Sequence, residues 1–215
     1  MENKSPPPYF YKEFIRLVFD HQPPEGSTET GWYTDSDYPL DFPLYDGQHV
    51  DELVDLYHYL FLNCEKDLAE FSDIQVALGI QILFNQYYSN LIFDFMESKD
   101  ERKKVSAILS MKNLYKHVFE KRCVPDEQSA INHICFMLWD VSPLDKNKAT
   151  LQVMEYALYS SNKQCILSGL HGLGHVLDYK KEREDIIDKF LRIKGLYLPR
   201  DIIYYAGAAR GGRVQ

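Results

Sequence analysis

The chain has 215 residues, of which 45% are hydrophobic and 26% charged, a composition typical of a folded protein and unlike that of a disordered one. This length suits a domain that buries a sizeable core without help from disulfides or metal. The formal net charge of −8 argues against a general nucleic-acid binder, because such proteins neutralise phosphates with a basic surface.

The charges are distributed unevenly along the chain. Residues 25–70 hold twelve acids and a single base, Lys66, so this stretch carries −11 while the rest of the chain carries +3. Within that remainder, residues 99–122 hold eight bases and three acids and carry +5. The sequence therefore describes a polarised molecule and not a uniformly acidic one.

The periodic segments all predict helices. Phe10, Phe14, Leu17 and Val18 mark a first short helix, and an irregular stretch rich in Pro, Gly, Asp and aromatic residues follows over about 21–48. Further helices are predicted over 50–68, 72–96, 99–122, 125–142, 148–159, 163–178, 182–194 and 199–209. No run has the alternation of a strand, and residues 210–215 are predicted to form a flexible tail. We therefore predict a single all-α domain over 1–215.

No segment of the sequence predicts a membrane-spanning helix or a secretory signal. The most apolar helix, 72–96, is interrupted by Gln, Asn and Asp residues and predicts a buried helix, with no membrane contact. The start of the chain has no apolar run typical of a secretory signal, so we expect a cytoplasmic protein. Cys64, Cys123, Cys135 and Cys165 form no C-x-x-C pair, and we expect buried, reduced thiols.

The helix predicted over 163–178 has three apolar or small sides and one polar line. Ile166, Leu170, Leu173 and Leu177 share a narrow arc, and interior glycines beside it would let neighbouring helices approach closely. On the opposite side a polar line is formed by Gln164, Ser168, His171 and His175. This pattern is typical of an inner helix in a stacked helical array.

The helix pair 149–159 and 164–177, joined by the Ser160-Ser161-Asn162 turn and containing the run Leu170-His-Gly-Leu-Gly174, resembles one HEAT-type helical repeat. The resemblance covers about residues 148–178, and 126–209 is the most HEAT-like part of the chain. It implies an irregular α-solenoid whose second helix lines a concave binding surface, so Gln164, Ser168, His171 and His175 become candidate partner-binding residues. No repeat of fixed period is present, and a compact helical bundle is the alternative.

His171 and His175 stand four residues apart on one helix face, the spacing that lets two imidazoles share a zinc ion. Metalloprotease chemistry would require Glu directly after the first His, where this chain has Gly172, and no third ligand is evident. The chain also lacks the motifs of nucleophile elbows, P-loops and dinucleotide sites. We therefore predict no catalytic residue, metal or cofactor, and keep a helical metal-dependent hydrolase using His171 and His175 as an alternative.

The stretch 21–48, called here the acidic aromatic loop, is the second candidate interaction site. Its aromatic and acidic side chains interleave, and the candidate partner-binding residues are Trp32, Tyr33, Asp35, Asp37, Tyr38, Asp41, Tyr45 and Asp46. Aromatic residues supply contact area and carboxylates attract a basic protein partner, although the same loop could simply cover the helical core.

The leading hypothesis from the sequence is a non-catalytic protein-interaction module that binds a basic protein through its acidic face. By fold and charge it resembles bacterial immunity proteins, which neutralise a basic toxin domain. A structural subunit that assembles with itself through its opposite charges is a further alternative, and the sequence does not determine the oligomeric state.

Overall fold

The computed structural model describes residues 7–20, 50–85, 89–125 and 127–214, and within these residues it contains helices and no strands. The predicted all-α fold class is confirmed. The acidic aromatic loop lies outside the described residues. Whether the helices form an irregular solenoid or a compact bundle stays a prediction, as does the HEAT-type repeat.

The helices follow the chain in the order α1 (Tyr11–Phe19), α2 (Val50–Asp67), α3 (Asp73–Phe84), α4 (Leu91–Glu97) and α5 (Glu101–Ser110). After α5 come α6 (Lys112–Leu114), a π-helical turn (Tyr115–Phe119) and α7 (Glu120–Arg122). The second half consists of α8 (Ala130–Val141), a 3₁₀ turn (Pro143–Lys146), α9 (Lys148–Leu158), α10 (Lys163–His175), α11 (Lys180–Lys194), a 3₁₀ turn (Gly195–Tyr197) and α12 (Arg200–Arg210).

The helix predicted from Ser72 to Met96 starts where expected but does not continue to its predicted end. Ser72 forms a capping box with Gln75, which satisfies free amide groups at the start of α3. At the other end Asn85 adopts an extended conformation, and the Ser89 hydroxyl donates to the Ile82 carbonyl at 2.5 Å. In a continuous helix that carbonyl would accept from a backbone amide, so the side chain replaces a helical bond.

The helix predicted over 163–178 also ends early, at His175. Val176 is extended, and Leu177, predicted to lie on the buried arc, is 77% exposed. The buried guanidinium of Arg183 donates to the Val176 carbonyl at 2.9 Å and to the Arg210 carbonyl at 3.1 Å. One arginine thus binds the carboxyl ends of α10 and α12, where the helix dipole favours a cation.

Helix α10 lies at the centre of the second half, in contact with α8, α9 and α12. A Cβ atom at Gly169 would lie 2.7 Å from the Met154 carbonyl oxygen of α9, and one at Gly172 would lie 2.4 Å from the Trp139 ring of α8. The expected close approach at these glycines is confirmed. Their helix-propensity cost of about 1 kcal/mol each is offset by tight packing.

In the first half, acidic α2 lies alongside the basic segment that contains α5 to α7. Lys103 pairs with Asp55 at 2.8 Å, Lys121 pairs with Glu65, and the Ser98 hydroxyl donates to Asp51 at 2.5 Å. Part of the opposite charge seen in the sequence is therefore neutralised within the chain.

The four cysteines are buried and free, as predicted. Among the described residues, no helix combines the length and the apolar character needed to cross a membrane.

Candidate metal centre

Three helices bring polar side chains to one point in the second half of the molecule. Asp140 lies in the last turn of α8, His171 and His175 lie on successive turns of α10, and Tyr205 lies on α12. Helices α8 and α10 run in the same direction: Gln164 donates to the Asn132 carbonyl, Ser168 to the Cys135 carbonyl, and His171 faces Asp140. This register places the end of α8 beside the end of α10.

The Asp140 carboxylate faces both imidazoles at once. Its Oδ2 lies 2.7 Å from Nε2 of His171, and its Oδ1 lies 2.7 Å from Nε2 of His175. The two Nε2 atoms are 3.2 Å apart. One carboxylate and two imidazoles thus bring their nitrogen and oxygen atoms close together, and within the described part of the chain these three residues form a group that could hold a metal ion.

The cluster is anchored inside the protein and open on one side. The His171 side chain is only 2% exposed, whereas those of Asp140 and His175 are 20% and 38% exposed. The Phe136 ring packs on His171 with centroids 4.1 Å apart, and the Tyr205 ring lies within 10° of parallel to that imidazole. The orientation of His171 is thus fixed, while water reaches the other two side chains.

Tyr205 contacts the ring nitrogen of His171 that points away from Asp140. Its hydroxyl lies 2.5 Å from Nδ1 of His171. Burial, and to a smaller extent the Asp140 carboxylate, raise the pKa of Tyr205 to about 12. The phenol is therefore neutral near pH 7 and available both as a donor and as an acceptor.

Two proton arrangements satisfy this geometry. In the first, both Nε2–H groups donate to Asp140 and the Tyr205 hydroxyl donates to Nδ1 of His171. In the second, both imidazoles carry their protons on Nδ1, and the Nδ1–H of His171 donates to the Tyr205 hydroxyl. The Nε2 lone pairs and the carboxylate are then all available to ligate a cation. The choice between the two depends on whether a metal ion is bound.

The predicted polar line of α10 is divided between surface and interior. His171 and His175 come together as their spacing indicated, and Gln164 is half-buried at the start of the helix. Ser168 is buried under α8, and His171 is buried under the aromatic rings of α8 and α12. Neither residue therefore lies on an open concave surface. Ser168 instead bonds the buried Tyr115 hydroxyl at 2.7 Å.

The eight candidate residues of the acidic aromatic loop lie outside the described residues, so binding of a basic partner there stays a prediction. Sequence reasoning missed Asp140 and Tyr205. Asp140 did leave a signal, because it is the only acid in the mostly apolar helix α8. Tyr205 is one of several tyrosines and carried no such signal.

Comparison with protein-family models, with curated proteins and with solved structures finds no match to this chain.

Proposed function

We propose that the chain binds one divalent transition-metal ion of the zinc class through Asp140, His171 and His175, and that a water molecule on this ion hydrolyses a substrate. The observation that carries the proposal is that the Asp140 carboxylate contacts both Nε2 atoms at 2.7 Å while these two nitrogens lie 3.2 Å apart. Three protein ligands leave a coordination position for water, which is the arrangement of catalytic zinc sites; structural sites usually have four protein ligands.

The spacing of the nitrogens supports an ion between them. With a metal–nitrogen distance of 2.0–2.1 Å, two imidazole ligands stand about 3.3 Å apart at a tetrahedral angle and about 2.9 Å apart at a right angle. The separation of 3.2 Å between the two Nε2 atoms lies within that interval. A small shift of the Asp140 carboxylate would then lengthen its two 2.7 Å oxygen–nitrogen distances to those between ligands of one ion.

The charge of the ligand set suits hydrolysis. One carboxylate and two neutral imidazoles leave a bound divalent ion with a net charge of +1, so the ion stays a strong Lewis acid toward water. The solvent-exposed edges of Asp140 and His175 lie on the side from which water and substrate would approach. Tyr205 would accept the Nδ1–H of His171 and hold the ring in the tautomer that ligates through Nε2.

Metal analysis of purified protein tests the binding step. After growth with added zinc and purification without a histidine tag, we expect one zinc ion per chain in the natural protein and background levels in Asp140→Asn and His175→Ala. Matched controls are Asp55→Asn and His117→Ala, which alter an acid and a histidine on other helices and should keep the metal. Background zinc in the natural protein would contradict the proposal.

The same two-histidine, one-carboxylate set also ligates iron(II) in oxygenases. Iron recovered in place of zinc after anaerobic purification would support the site and contradict the hydrolytic chemistry. The hydrolytic step itself is tested with a panel of carboxylic esters, phosphate esters and peptide amides. We expect turnover that a chelator removes, zinc restores and Asp140→Asn lacks; metal-independent turnover would argue against the mechanism.

A further inference from the structure

A cleft of about 390 Å³ lies where α8 and α10 begin, on the same side of these helices as the metal centre. Its lining includes Glu127 before α8, His133 and Phe136 on α8, and Gln164 on α10. The lining of the cleft contains none of Asp140, His171 and His175, and the proposed hydrolysis gives the cleft no role.

The cleft and the metal centre lie along one face of α8, the face that is directed at α10. His133, Phe136 and Asp140 lie on one face of α8, and Gln164 and His171 lie on the facing side of α10. Phe136 links the two sites, because its ring lines the cleft and also packs on His171 at 4.1 Å. At 1.5 Å per helical residue, the seven residues from His133 to Asp140 span about 10 Å.

The groups that line the cleft favour a cation. Glu127 contributes an exposed carboxylate, and Gln164 uses its amide nitrogen to donate to the Asn132 carbonyl at 3.1 Å, which leaves its amide oxygen to accept. Partial burial lowers the pKa of His133, so this ring is uncharged near pH 7 and does not repel a cation. Among the described residues that line the cleft there is no Lys or Arg.

The aromatic floor adds a preference for a planar cation. Phe136 is half-buried, and it is the aromatic side chain of the lining that offers a ring without its own hydrogen-bonding group. A guanidinium stacks on such a ring and at the same time donates to oxygen atoms at its edge, whereas an ammonium group makes only the second kind of contact well. The lining thus matches an arginine side chain better than a lysine side chain.

We propose that this cleft binds an arginine side chain of a peptide substrate, with the guanidinium on Phe136 between Glu127 and Gln164, and that the peptide continues over this face of α8 to the metal centre. This proposal rests on the proposed function. An extended peptide advances about 3.3 Å per residue, so the bond presented to the metal lies about three residues from the bound arginine.

Calorimetric titration of the zinc-loaded protein with argininamide, and with citrullinamide as its uncharged isostere, tests the cleft. We expect argininamide to bind at least tenfold more tightly than citrullinamide. The two compounds differ only in the planar end group, which is charged in argininamide and neutral in citrullinamide. The Glu127→Gln variant should weaken argininamide binding about three- to tenfold, while its zinc stoichiometry stays at one. Phe136→Leu should weaken argininamide binding by a similar factor, and its zinc content is measured separately because this ring also packs on His171. The matched control Glu97→Gln removes an exposed acid on α4 and should leave binding unchanged.

The outcomes separate this proposal from the proposed function. Equal or absent binding of the two amides, with zinc still bound, overturns the assignment of the cleft and leaves the metal centre standing. Argininamide binding without any zinc binding overturns the proposed function, and with it the role of the cleft in holding a substrate. If both bind, an arginine peptide cleaved about three residues from the arginine supports the proposal, and cleavage that ignores the arginine contradicts it.

Discussion

Charged groups meet in two regions of this molecule, and the regions differ in burial. Between α2 and α5, the side chains of Lys103 and Asp55 are 43% and 47% exposed, and each pairs with one partner. Between α8 and α10, His171 is 2% exposed and Asp140 contacts two imidazoles. Exposed pairs contribute little and are screened by salt, whereas a buried polar cluster must be fully satisfied to be tolerated.

The comparison indicates different roles for the two regions. The exposed pairs allow an acidic helix and a basic segment to pack together, and any of them can be lost at small cost. The cluster around buried His171 holds two imidazoles and a carboxylate close together. This arrangement costs desolvation at His171, and a bound cation would offset that cost most fully. Four substitutions distinguish these roles.

The largest effect is expected from Gly172→Ala, because the new methyl group would lie 2.4 Å from the Trp139 ring and force α8 away from α10. We expect the free energy of unfolding to fall by about 3 kcal/mol and zinc affinity to fall with it. Gly207→Ala is the matched control: it lies on α12 with no atom within 4 Å of the added carbon, and it should stabilise the protein slightly. Chemical denaturation measures both variants, and equal effects would contradict the packing argument.

Zinc itself should stabilise the folded protein. A ligand at a hundred times its dissociation constant adds about 2.7 kcal/mol to the free energy of unfolding, if it binds the folded state alone. We expect this increment in the natural protein and in Asp55→Asn, and none in Asp140→Asn. Thermal unfolding with and without zinc measures it, and an increment that survives in Asp140→Asn would place the metal elsewhere.

Tyr205→Phe keeps the aromatic ring and removes only the hydroxyl that lies 2.5 Å from His171 Nδ1. We expect zinc affinity to fall about tenfold, or about 1.4 kcal/mol, because the ligating tautomer loses its partner. The exposed Tyr204→Phe is the neighbouring control and should bind zinc normally. Unchanged affinity in Tyr205→Phe would show that the hydroxyl does not orient the ligand.

Lys103→Ala breaks the exposed pair with Asp55 and should have the smallest effect, about 0.5 kcal/mol on the free energy of unfolding at low salt. In 1 M salt we expect the difference from the natural protein to vanish, since the Debye length is then about 3 Å. Denaturation at the two salt concentrations tests this. A fall in the free energy of unfolding larger than about 1.4 kcal/mol, the effect expected of Tyr205→Phe on zinc binding, would remove the distinction drawn between the two regions.

Much of the fold followed from local pattern. The all-α class and the start of a helix near residue 72 could be predicted because they depend on residues three or four positions apart. The early ends of α3 and α10 could not, since they depend on the Ser89 and Arg183 side chains, whose partners lie seven or more residues away.

The candidate site divides in the same way. The shared face of His171 and His175 was determined by sequence alone, because a spacing of four residues aligns side chains on any helix. Only the tertiary structure decided that Asp140 and Tyr205 join them, since these residues lie 31 and 34 positions from His171 and meet it through the packing of α8 and α12 on α10. Helical periodicity fixes which residues share a face, but contacts between helices depend on how glycines, rings and caps let the helices approach.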